Sequence, residues 1–391
     1  MSTATPTIPP AIAGFADALT AIRRDFHAHP ELGFEETRTA GRVAALLREW
    51  GVDEVHEGVG GTGVVGVLRG ARPGTRGIGL RADMDALPME EATNLPFRST
   101  RPGLFHGCGH DGHTTMLLGA ARALAQDRDF AGSVVLIFQP AEEGLGGARA
   151  MLADGLFARF PCDEVYALHN APALPLGSVG ITPGAGMAGA SFFDVLVRGR
   201  GGHGAIPHHA RDPVLVATAL AQAAQSVVAR DVDPLQPAVL SITRIAAGAA
   251  YNVIPDEARL GGTLRYFSDG TRGVLVDRLE ALARGLAQAY AVEIEVSVRE
   301  VFTVLENDAG AIAAAAAAAR EILGEAGVNT AYPPSVASED FADMLRVVPG
   351  AYVWIGHGGD VPLHNPGFVF DDAVLPVGAS LLDRIARSRL A

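Results

Sequence analysis

Residues 134–138, Val-Val-Leu-Ile-Phe, form an apolar run with no polar residue at any alternate position. A strand with one face in water alternates in polarity. One this apolar must be covered on both faces, as a central strand of a parallel sheet packed between helices is. Residues 63–68, 78–82 and 164–168 read as further buried strands, and residues 12–26, 37–50 and 116–124 carry apolar side chains at helical spacing. The expected fold is therefore α/β, with a mostly parallel sheet flanked by helices. Three of these strands run into polar residues: Asp83 and Asp85, then Glu142 and Glu143, then His169. In open α/β sheets the ligand crevice lies outside the carboxyl ends of the strands. The recurrence predicts that these side chains share one site.

With 391 residues the chain exceeds one ordinary core, and two domains are expected. From about residue 184 the texture changes, after a Gly/Pro-rich joint at 182–186. A strand at 192–197 precedes a helix at 212–230, opened by Asp212-Pro213. Strands at 239–245 and 258–267, a helix at 271–290 and a strand at 292–298 follow. This β-α-β-β-α-β order is that of a ferredoxin-like α+β module. An alanine-rich helix at 309–323 then returns the chain to the first domain. The expected division is residues 1–183 with 306–391, and an inserted module at 184–305. The residues before 12 are expected to be a disordered tail.

The densest chemistry is His106-Gly-Cys-Gly-His-Asp-Gly-His113, placed by the helical spacing after it in a loop that feeds a helix N-terminus. The helix dipole there is expected to lower the Cys108 pKa toward the thiolate that metals need. A Cys-x-His pair alone decides little, because an intracellular cysteine is most often a small buried hydrophobe. The remaining candidates give it company: Cys108, His110, Glu143, His169 and His364 are all metal-ligand types. Five ligands exceed the four of a structural zinc site, and catalytic sites need open positions. Two divalent ions sharing a water fit better. One carboxylate of the Glu142-Glu143 pair then binds metal while the other moves protons. Imidazole and thiolate favour zinc or cobalt, carboxylate tolerates manganese, and nickel completes the candidates. His27 and His29 are either ligands or supporting residues, and His113 is a supporting candidate.

Composition removes several alternatives. All 31 basic residues are arginine, which excludes a pyridoxal Schiff base, a P-loop lysine and a carbamylated bridging lysine. The net charge of −13 without a basic run argues against nucleic acid. No segment approaches the ~18 apolar residues of a membrane span, and the first residues lack a signal-peptide pattern. A cytoplasmic location is expected. Cys108 and Cys162 make no disulfide framework.

The segments HAHPELGFEE, RADMDALPMEE, HGCGHDGHTTMLLGAA, FQPAEEG, ALHNAP, GGHGAIPHHARDPV, YNVIPDEARLGGTLR and SEDF occur in this order across nearly the whole chain. Together they resemble the N-acyl-amino-acid amidohydrolase branch of the metallo-aminoacylase and carboxypeptidase family, which includes hippurate and auxin-conjugate hydrolases. The resemblance implies that Cys108, His110, Glu143, His169 and His364 are the metal ligands and Glu142 the general base. Arg81 stands where the wider family opens a His-x-Asp ligand motif, so Asp83 is not carried over as a ligand. The resemblance also implies that the inserted module is a lid and dimerisation domain. His203 would then stabilise the oxyanion in the partner subunit's site, and Asn252 and Arg265 would grip the substrate's α-carboxylate.

The expected activity is binuclear metal-dependent hydrolysis of an N-acyl amino acid, by a homodimer or a dimer-based tetramer. Two alternatives remain: a metallo-dipeptidase or carboxypeptidase on the same scaffold, and a catalytically silent, metal-stabilised binding protein.

Overall fold

A computed structural model describes residues 6–391 of the chain. The expected tail lies partly outside these residues; from Thr7 onward it is tied down, because the Thr7 amide donates to the Ile322 carbonyl at 2.8 Å. The chain forms two compact units. One takes in the residues up to Gly186 together with Glu306–Pro333 and Asp340–Ala391, and the other Met187–Leu305 with Pro334–Glu339.

The first unit begins with helices α1 (Ala16–Ala28) and α2 (Thr37–Glu49), then strands β1 (Glu54–Val59), β2 (Gly63–Arg69) and β3 (Arg72–Asp83). Helix α3 (His110–Gln126) precedes β4 (Ala131–Gln139), β5 (Glu164–Ala171) and the short β6 (Val179–Gly180). The expected single helix over 12–26 is broken into a four-residue turn, Pro10–Ala13, and α1, with Gly14 between them. The chain continues in the inserted unit with β7 (Gly189–Arg198), α4 (Pro213–Arg230), β8 (Ala238–Ala247), β9 (Glu257–Tyr266), α5 (Asp269–Tyr290) and β10 (Glu293–Phe302). It returns through α6 (Ala309–Leu323), β11 (Val328–Asn329), β12 (Gly350–Gly356) and α7 (Leu375–Arg389).

The eight-stranded sheet runs β1-β2-β4-β3-β5-β12-β6-β11. Its centre, β4-β3-β5-β12, is parallel throughout. Val134, Leu136 and Phe138 point one way and Val135 and Ile137 the other, yet all are at most 2% exposed. That two-sided burial is why the strand shows no alternation. Helix α3 is buried along nearly its whole length, and small residues permit it. A Cβ at Gly119 would lie 2.8 Å from the Ala379 methyl of α7.

In the inserted unit the four strands are antiparallel in the order β8-β9-β7-β10, so the last strand lies beside the first. Val216, Ala217, Leu220, Ala224 and Val227 form the buried stripe of α4, at the three- and four-residue spacing of one helical face. Asp212 caps α4 by accepting from the Val214 and Leu215 amides. This is the β-α-β-β-α-β module read from the sequence. No helix among the described residues is long and apolar enough to cross a membrane.

Candidate metal centre

Because β4, β3, β5 and β12 are parallel, their carboxyl ends share one edge of the sheet. Asp83 closes β3, Gln139 closes β4 and leads into Glu142-Glu143, and His169 sits near the end of β5. Helix α3 starts at the same edge. Its N-cap is Gly109 with φ 92°, and a Cβ there would meet the side-chain Nδ2 of Asn170 at 2.4 Å. Cys108 is thus in the loop, while His110, Asp111 and His113 occupy the first turn of the helix itself rather than the loop expected for them.

These elements gather the five expected ligands. Cys108 Sγ lies 3.4 Å from His169 Nε2 and 3.3 Å from His364 Nε2. His364 reaches it across 256 residues of sequence, its own amide anchored to the Gly107 carbonyl at 2.9 Å. Glu143 Oε1 is 3.3 Å from His364 Nε2 and 3.9 Å from His110 Nε2. The donor atoms of Cys108, His110 and His169 all lie within 4.8 Å of one another, and so do those of Cys108, Glu143 and His364. Cys108 belongs to both groups. Glu142 forms a further such group with His110 and Glu143, which places it beside both.

Outer hydrogen bonds aim these groups. His110 Nδ1 pairs with Asp85 at 3.1 Å, and the other Asp85 oxygen accepts from the Glu143 amide at 2.9 Å. His169 Nδ1 donates to the Asn170 carbonyl at 2.8 Å, leaving its Nε2 toward Cys108. Fixing one imidazole nitrogen in this way presents the other as a lone pair. His110 Nε2 and Glu143 Oε1 are buried and have no hydrogen-bond partner. Orphaned buried groups are costly, and two that converge fit divalent cations.

Asp83 is differently employed. One of its oxygens pairs with His113 Nδ1 at 2.7 Å and the other accepts from Arg81 at 2.7 Å. Arg81 also reaches Gln139 at 2.9 Å and Asp340 at 3.3 Å. The donor atoms of Asp83, His110 and His113 also lie within 4.8 Å of one another. However, both Asp83 oxygens are already engaged, and Asp83 Oδ2 is 3.9 Å from His110 Nε2. His113 Nε2 is occupied as well, accepting from the Asn170 amide at 3.0 Å. The pair buttresses the site from behind.

The charges are tightly interdependent. Burial opposes the ionised Asp83, yet His110, His113 and Arg81 outweigh it and hold the carboxyl well below the usual range. Burial, then His113, pushes His169 well down, so it is neutral. The Cys108 sulfur and the Glu143 carboxylate lying against its ring raise His364 to about 10. Burial, then the Glu143 carboxylate, raises the Cys108 thiol. That reverses the expected lowering: desolvation and a nearby anion outweigh a helix terminus. A cluster that draws protons onto His110 and His364 is short of positive charge, which is what a cation site looks like electrostatically.

The Ala141 turn completes the geometry. Ala141 has φ 54°, a left-handed conformation that costs a non-glycine residue roughly 1–2 kcal/mol. It is the residue immediately before Glu142.

Residues 79–388 match the family model described as peptidase family M20/M25/M40. The chain belongs to that family. Among the relatives of this M20 chain is the hippurate hydrolase of Campylobacter jejuni, 44% identical over 368 residues, covering 93% of this chain and 94% of that enzyme. The N-acetylcysteine deacetylase of Bacillus subtilis is 38% identical over 373 residues, covering 95% and 97%. Among solved structures, the Bacillus subtilis YxeP protein, a dinuclear metal binding peptidase of the M20 family, aligns with TM-score 0.86 and 34% identity. The match covers 97% of this chain and 99% of that one. The M20 chain is thus a metal-dependent amidohydrolase, and its ligand groups together with the dinuclear relative support two divalent cations.

The other expected residues fall elsewhere. His27 is buried and bonded to Asp111 at 2.8 Å and Glu91 at 3.2 Å, a supporting position under the start of α3. His29 is held by the Asp25 carbonyl at 2.8 Å. In the inserted unit His203 is exposed and pairs with Val253, and the following Gly204 amide donates to Asn252 at 2.8 Å, so His203 and Asn252 are neighbours. Arg265 lies on β9, its guanidinium on the Leu264 carbonyl at 3.1 Å. The positioning roles of Asp85 and Asn170 went unread in the sequence. Asp85, two residues beyond Asp83 at a strand end, carried the only signal.

Proposed function

We propose that this M20 chain hydrolyses the amide of an N-acylated amino acid, releasing a carboxylic acid and a free amino acid. The observation that carries the reading is Glu142 set beside two ligand groups that share Cys108. In this reading Cys108, His110 and His169 hold one cation and Cys108, Glu143 and His364 the other. Zinc, cobalt, manganese and nickel are the candidate ions. Two such cations, when bound, would supply Lewis acidity to the scissile carbonyl and to the attacking water. Glu142 takes the proton from that water and gives it to the leaving nitrogen, balancing the reaction. Asn252 and Arg265 bind the α-carboxylate, for which a planar, permanently charged guanidinium is suited. The hippurate hydrolase and deacetylase relatives support this substrate class.

A substrate panel tests it. Hippurate and N-acetyl amino acids should be cleaved, and hippuramide, which lacks the carboxylate, should show a raised KM. Preferential cleavage of plain dipeptides would replace this reading with a dipeptidase. No turnover of any member, with metal content verified, would leave a silent binding protein.

We also infer, from the likeness of the Gly201-Gly202-His203 segment to the family, that the enzyme is a homodimer in which His203 stabilises the oxyanion in the partner's site. Homodimers of Glu142→Gln and of His203→Ala should each be nearly inactive. Co-expression pairs them at random, so about half the dimers are mixed, each with one intact site, and roughly a quarter of wild-type activity returns. If mixed dimers are recovered by tag pull-down but no activity returns, His203 does not act across the interface.

A further inference from the structure

The Glu142-Glu143 turn is held by side chains that the proposed mechanism leaves unused. Glu143 is tied through its amide to Asp85. Two residues earlier, the Ala141 amide donates to Glu36 Oε1 at 2.8 Å, across 105 residues of sequence. Glu36 is 0% exposed, and its second oxygen accepts from the Thr62 hydroxyl. The Ala141 carbonyl in turn accepts from the Gly147 amide at 3.1 Å. Neighbouring backbone presses on the same turn: a Cβ at Gly33 would lie 2.9 Å from Ala141 Cα. Ala141 thus keeps a left-handed φ of 54° with both of its peptide polar groups committed. Strained backbone of this kind persists where the surroundings over-determine it.

We propose that Glu36 is a positioning residue for the general base: its carboxylate holds the Ala141 amide, and so fixes the turn that aims Glu142. Glu36 commits its two carboxylate oxygens to the Ala141 amide and the Thr62 hydroxyl. It closes the PELGFEE segment, whose conformation brings a buried acceptor to the Ala141 end of the turn, opposite the end that Asp85 holds. Without it, Ala141 relaxes toward ordinary φ, and the Glu142 carboxylate swings away from the water it must deprotonate. An error of about 1 Å in such a group costs up to ~10²-fold in rate.

The inference rests on Glu142 being the base, and the test separates the two. Glu36→Leu, which keeps the buried volume, should lower kcat roughly 10–100-fold on hippurate or an N-acetyl amino acid, with KM within about twofold. Metal content should be unchanged by elemental analysis. Glu36→Gln retains an oxygen for the Ala141 amide and should recover most of the loss. Thr62→Val leaves that bond intact and should have a small effect. Should the leucine variant fail to fold, Glu36→Asp, whose carboxylate stops one methylene short, takes its place.

The deciding measurement is the double variant. If Glu36 acts through Glu142, adding Glu36→Leu to Glu142→Gln should cost no more than about twofold. Full multiplication of the two losses overturns the proposal, and so does a Glu36→Leu defect confined to KM or to metal content. Near-wild-type turnover of Glu142→Gln alone retires the base assignment. A kcat loss from Glu36→Leu that persists in that active background overturns the positioning role as well.

Discussion

Glu142→Gln is expected to retain the fold and both cations while losing roughly 10²–10⁴-fold in turnover. Glutamine has nearly the shape of glutamate and can still hydrogen-bond, but its amide cannot take the proton of an attacking water. Glu142 is 7% exposed, so a substitution that changed volume or polarity more would disturb the packing as well as the chemistry. The turn that carries it is held from both sides by groups the substitution does not touch, Glu36 on the Ala141 amide and Asp85 on the Glu143 amide. The loss should therefore appear in kcat, with two metal equivalents still present by elemental analysis. Turnover near wild type would remove Glu142 from the mechanism. A fall in metal content would instead make it a ligand, and Glu143 would become the candidate base.

Dialysis against a strong chelator should abolish turnover, and adding back a divalent ion should restore it, because the metals supply both the Lewis acid and the activated water. Undiminished activity after verified metal removal would refute the binuclear mechanism. The shared position of Cys108 sharpens this expectation. Its sulfur belongs to both ligand groups, whereas His169 belongs only to the first and His364 only to the second. Cys108→Ala should therefore lower occupancy at both positions, while His169→Ala and His364→Ala each lower one. Two full equivalents in Cys108→Ala would take the thiol off the ligand list.

The local periodicities of this chain were sufficient for most of its central elements and for the kind of sheet it builds. The unbroken run at 134–138 lies on a central parallel strand, and the strand ends at Asp83, Glu142-Glu143 and His169 meet along one edge. Both are legible because two-sided burial and strand polarity leave their mark on consecutive residues. Helix α4 was read from its Asp212-Pro213 opening, and Asp212 does cap it.

Tertiary packing decided what local pattern cannot encode. It brought His364 to Cys108 across 256 residues and Glu36 to Ala141 across 105, distances at which no periodicity survives. It also reversed the reading of the Cys108 thiol. The helix terminus that suggested a lowered pKa is present, but burial and the Glu143 carboxylate act more strongly in the opposite direction. In the same way, the engagement of Asp83 with His113 and Arg81 could not be read from the motif that contains it. Residue types and their order are written in the chain; which carboxylate faces a ligand position and which is spent on a neighbouring cation depends on solvent exclusion and on partners that only the folded arrangement supplies.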